Sequence, residues 1–158
     1  MLIPFLFGFT FVVSYALWQG SSPERAGALI FLMMAVLQYS GRLIFDRVFN
    51  TVDLLILSAD LFALAGFTLL ALWANRIWPL FIAALQLLSC ASHFGREISS
   101  KVEPRVYAVL MLGPTVAALV VLLIGTLAQR VRIKRGVHLP SWSKGTALPR
   151  WFPAFLKQ

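Results

Sequence analysis

The stretch LLILSADLFALAGFTLLALW (54–73) holds twenty residues with a single formal charge, Asp60. Twenty apolar residues in a helix reach about 30 Å, the thickness of a bilayer's hydrocarbon core. A carboxylate inside such a run needs a proton, a partner or water, so Asp60 is a functional lead as well as a topological problem. Four further apolar segments resemble it in length: about 2–18, 26–45, 77–94 and 106–128, with this one extending over 51–73. The expected fold is all-α, a polytopic membrane protein built as a bundle of five transmembrane helices, followed by a basic tail over 129–158.

Composition agrees. Of the 158 residues, 59% are hydrophobic, 13% are charged, and mean hydropathy is +0.82. The charged share is about half that of an ordinary soluble domain. A single cysteine, Cys90, excludes a disulfide framework or a cysteine-based metal centre within one chain. With only His93 and His138 besides, no metal site is expected. The first segment has no basic leader and no small-residue cleavage site, so it reads as a retained span.

The links between segments are short, which makes sequential helices antiparallel neighbours. The face bearing the N-terminus then carries Arg42, Arg47, Arg96, Lys101 and Arg105. The opposite face carries Arg25, Arg76 and the seven tail cations. That bias orients the chain with its N-terminus in the periplasm and its tail in the cytoplasm of a bacterial inner membrane. Trp18, Trp73, Trp78, Trp142 and Trp151 all fall on the cytoplasmic side and read as an interfacial belt.

The antiparallel register also says which polar residues share a depth. Asp60 lies nine residues in from its helix end, roughly 13 Å. Thr10 or Ser14, Gln38, Ser89 with Cys90, and Thr115 fall near that level on the other helices. On the fourth helix Gln86, Ser89, Cys90 and His93 are spaced i, i+3, i+4, i+7 and form one stripe. Asp60 is expected to meet Gln86, Ser89 or Cys90, as a possible proton or ion site or as an interhelical hydrogen-bonding residue. Asp53 is expected to meet His93 near the periplasmic surface, within reach of Arg42. His93 counts about a turn too shallow to join Asp60 and Ser89. Gly113 and Pro114 are expected to kink the fifth helix.

The tail carries Arg130, Arg132, Lys134 and Arg135 at its start and Trp142, Trp151, Phe152 and Phe155 beyond Gly136. These are anchors for anionic headgroups or for a protein partner. The partners expected are membrane lipids and other membrane subunits, not nucleic acid.

SYALWQGSSPERAGALIF (14–31) and RIWPLFIAALQLLSCASHFGR (76–96) resemble small polytopic proteins of alphaproteobacterial inner membranes. That resemblance implies an inner-membrane address and carries no activity, cofactor or catalytic residue. The leading functional expectation is a non-catalytic accessory or assembly subunit of a larger inner-membrane complex, bioenergetic in kind. The alternative is a small oligomeric transporter or channel using Asp60. A membrane enzyme or quinone-handling protein comes third. No cofactor is expected; lone axial ligation of haem or chlorophyll by His93 is the disfavoured reading.

Overall fold

The computed structural model describes residues 2–44, 49–98, 104–136 and 140–143, with side chains over 3–40, 54–93, 112–136 and 140–143. Five helices account for nearly all of it: α1 (Leu2–Gln19), α2 (Ser22–Ile44), α3 (Phe49–Trp73), α4 (Trp78–Ile98) and α5 (Pro104–Lys134). They close a ring. Each helix packs on the next in sequence, α1 returns to α5, and α2 also touches α5 across the interior.

The start of α2 differs from expectation for a local reason. Ser21-x-x-Glu24 is a capping box, in which a Ser or Thr caps the helix and an acid three residues on reaches back. Ser21 donates its backbone N–H to Glu24 Oε2 at 3.1 Å, and its hydroxyl bonds the same oxygen. Residues 22–25, outside the expected segment 26–45, therefore form the first turn of the helix. At the other end of the chain α5 runs to Lys134, and Gly136 then takes a left-handed conformation with φ +72°. Glycine adopts that conformation at little cost, which is why it so often ends helices. Arg130, Arg132 and Lys134 thus extend α5 by more than a turn beyond the apolar segment.

The core is made of small residues and a few aromatics. Ala16, Ala28, Ala59, Ala63, Ala74 and Ala118 are buried, with Phe31 against Phe67 at 4.9 Å between ring centroids. Small side chains let helix backbones approach closely. Trp78 enters the bundle between α2 and α5, where no side chain could stand. A Cβ on Gly27 would lie 2.7 Å from its ring, and one on Gly125 would lie 2.8 Å from it. Gly125→Val is therefore expected to cost about 2 kcal/mol through overpacking, read as a loss of unfolding free energy in detergent. An unchanged value would mean that the indole moves freely.

The apolar core also holds buried polar groups, while large apolar side chains are exposed. Glu24, Asp60, Arg76, Gln86, Ser89, His93, Thr115, Thr126 and Gln129 are buried. Large apolar side chains face outward on every helix, among them Phe7 and Phe11 on α1, Leu29 and Met33 on α2, Leu61 and Leu72 on α3, Phe81 and Leu88 on α4, and Val120 and Ile124 on α5. Among the described residues two helices are long and apolar enough to cross a membrane, Leu54–Trp73 and Leu112–Lys134. Ile3–Gln19 and Trp78–His93 are shorter apolar helices.

Candidate functional site: two buried polar clusters

Asp60 projects from α3 toward α2 and α4. Ser89 donates its hydroxyl to Asp60 Oδ2 at 2.8 Å, and His93 Nε2 lies 3.2 Å from the same oxygen. Gln38 on α2 donates its amide to Oδ1 at 3.4 Å. One carboxylate thus joins three helices. Asp60 is 3% exposed and His93 8%, so neither reaches solvent to any useful extent.

Gln38 and Ser89 share the depth expected from sequence. His93 departs from expectation in reaching Asp60, its Nε2 beside the carboxylate. The linear count placed His93 too shallow because one helical turn is only about 5.4 Å, a gap an imidazole can bridge by leaning along the helix. Asp53 and Arg42 lie on α3 and α2, but their side chains are outside the described residues. Gln86 continues the stripe inward, donating to Met34 Sδ at 3.8 Å while its Oε1 accepts no hydrogen bond. Cys90 is buried beside the cluster. On α1, Thr10 and Ser14 are exposed and do not join the cluster, because α1 packs mainly on α2 and α5.

The chemistry open to this cluster follows from its order of contacts. Ser89 and His93 both address Asp60 Oδ2, so the carboxylate stands between them. A nucleophilic triad needs the imidazole in the middle, taking the serine proton while the acid orients it. The arrangement here is instead a carboxylate shared by Ser89, His93 and Gln38. His93 spends Nε2 on that contact.

A second cluster lies at the opposite end of the bundle, and the sequence reading missed it. Glu24 on α2 is fully buried, and Trp78 donates its indole N–H to Glu24 Oε1 at 3.2 Å. Arg76 Nε is 3.7 Å from that oxygen, and Arg76 Nη2 donates to Gln129 Oε1 on α5 at 2.6 Å. Arg76 Nη1 is buried without a hydrogen-bond acceptor. Burial holds the Arg76 guanidinium below its ordinary pKa; Glu24 opposes this, and nearby Arg132 acts in the same direction as burial. The signal available in sequence was the capping box together with an isolated arginine in a short link.

That link is also where the tail lands. Trp142 forms an antiparallel bridge with Ala74. Ser143 donates its backbone N–H to Trp73 O at 2.8 Å, Asn75 donates its own to Ser141 O at 3.1 Å, and the Asn75 side chain donates to Trp142 O at 2.9 Å. Residues 140–143 are thus docked on the chain's own α3–α4 link. Arg130, expected as a tail anchor, donates to the Tyr15 hydroxyl on α1 at 3.2 Å. Arg132, Lys134 and Arg135 are exposed at the end of α5, while Trp151, Phe152 and Phe155 lie outside the described residues. Of the expected interfacial tryptophans, Trp18, Trp73 and Trp142 are exposed, but Trp78 is interior. Gly113 is exposed and Pro114 buried within a continuous α5.

No protein-family model matches this chain, and neither a curated protein nor a solved structure shows significant similarity to it. The function must be argued from the two clusters and the surface around them.

Proposed function

We propose that this chain is a five-span inner-membrane protein acting as a non-catalytic accessory or assembly subunit of a larger membrane complex. The observation that carries the reading is the combination of buried polar clusters with exposed apolar faces. Buried ionisable groups are spent on joining helices, Asp60 across α2, α3 and α4 and Glu24–Arg76–Gln129 across α2, the α3–α4 link and α5. The outward faces are apolar along all five helices. In lipid such a surface is solvated, and it offers flat helical faces on which neighbouring subunits pack. The shorter apolar stretches of α1 and α4 are accommodated by local bilayer thinning or by packing against neighbouring subunits. The exposed cations at the end of α5 supply the cytoplasmic bias of the topology.

The test is purification of the tagged chain from its own membranes in mild detergent, followed by native mass and subunit identification. We expect a stoichiometric complex that is lost when residues 144–158 are deleted. That truncation spares the clasp at 140–143 while removing Trp151, Phe152 and Phe155. A lone monomer or homo-oligomer would overturn the reading.

A second reading has its own observation. Asp60 and His93 meet on one oxygen inside the bundle, an arrangement able to hold and release a proton. It describes a proton-coupled transporter, and an Asp60→Asn variant separates the two readings as set out below.

A further inference from the structure

Beside the Glu24–Arg76 cluster the surface opens into a groove of about 530 Å³ between the start of α4 and the second half of α5. Its lower wall is apolar, formed by Phe81, Val121, Ile124 and Ala128. Arg76 and Arg132 line its other end, Arg76 with a buried side chain and Arg132 exposed. Gly125 lets the Trp78 ring close the back, since any side chain there would collide with the indole.

The charges at this end do not balance. Under the proposed topology Glu24 is the only acid on the cytoplasmic side, against Arg25, Arg76 and the cations of α5 and the tail. Glu24 is already occupied by Ser21, Trp78 and Arg76. Arg76 nevertheless keeps two buried nitrogens, Nε and Nη1, without a hydrogen-bond acceptor, Nε standing 3.7 Å from Glu24 Oε1, and Arg132 is exposed nearby. Two cations at one end of an apolar groove ask for an anion with an apolar body.

We propose that this groove binds one anionic membrane phospholipid, its phosphate held by Arg76 and Arg132 and an acyl chain laid along Phe81, Val121, Ile124 and Ala128. Guanidinium groups suit phosphate because their planar forks match its oxygens. The level also fits: Arg76 lies in the link where headgroups would stand, and the apolar wall descends from it along α4 and α5. This inference rests on the membrane reading above and adds to it a ligand class.

The full-length chain, delipidated and reconstituted in nanodiscs of mixed phosphatidylglycerol and phosphatidylcholine with equal acyl chains, provides the test. Native mass spectrometry counts the lipid retained after gentle release. One phosphatidylglycerol per chain is expected, preferred over phosphatidylcholine by about five-fold for each headgroup cation engaged. Arg132→Gln, at an exposed position, should remove about that factor. Ala128→Trp, which fills the apolar wall, should lower retention of the lipid and leave the fold intact by circular dichroism. Excess inorganic phosphate should not displace the lipid. Equal retention of the two lipids, an unchanged preference in both variants, or displacement by inorganic phosphate would overturn the proposal. Alkaline carbonate extraction of the native membranes keeps the two layers apart. A chain released into the supernatant defeats the membrane reading itself, whereas a chain that stays in the pellet without lipid preference defeats this inference alone.

Discussion

Asp60→Ala should lower the unfolding free energy of the bundle by about 3 kcal/mol, as expected when one partner of a buried polar cluster is removed. Ser89 Oγ, His93 Nε2 and the Gln38 amide would then face a space with no acceptor. Steric trapping or detergent titration of the full chain measures this. A loss below about 0.5 kcal/mol, the range of an ordinary surface change, would mean that the carboxylate is not the group holding α2, α3 and α4 together. Asp60→Asn is the sharper companion. It keeps the shape and one carbonyl acceptor for Ser89, so its cost should be about 1 kcal/mol. If Asp60 is a clamp, the variant still assembles with its partners, and wild-type proteoliposomes pass protons no faster than empty ones. If Asp60 and His93 form a transport site, wild-type flux exceeds that of empty liposomes and the Asn variant abolishes it.

The second large effect is expected at Glu24. Removing its carboxylate by Glu24→Ala strands the Arg76 guanidinium in a buried setting and leaves the Trp78 indole N–H without an acceptor. The capping contacts with Ser21 go at the same time. The combined cost should be about 4 kcal/mol, dominated by the uncompensated charge. The cause can be isolated with a double-mutant cycle. A Glu24→Leu, Arg76→Met chain removes both charges together and should recover most of the loss, because well-packed apolar replacements for a buried ion pair are often near neutral. Equal destabilisation in the single and double variants would place the cost in the cap and the indole contact, not in the ion pair.

The two clusters were legible to different degrees. Asp60 announced itself, since one acid in twenty apolar residues cannot be missed, and the stripe at 86, 89, 90 and 93 named the facing helix. What depth counting could not supply was the tilt and rotation of each helix. A side chain such as His93 leans along its own axis, and α1 turns Thr10 and Ser14 away because it packs on different neighbours. Glu24 and Arg76 were hidden by their positions near helix ends, where charged residues are ordinarily read as solvated. Their burial follows from how three elements converge, and no local pattern in the chain encodes that convergence. The clasp at 140–143 was equally invisible: it pairs a proline-flanked tail segment with a link some 65 residues away, through backbone groups that carry no sequence signature.

Sequence alone determined the helical elements. Hydrophobic run lengths, the capping residues and Gly136 fix where helices form and stop, because these depend on local backbone chemistry and on the transfer of nearby side chains. Tertiary structure alone decided which polar groups meet. That choice depends on helix rotation about its axis, set by alanine and glycine contacts between helices and by Trp78 wedged between Gly27 and Gly125. A rotation of one residue position, about 100°, would carry Asp60 from its interior partners to the outer face. The packing that prevents it belongs to all five helices together.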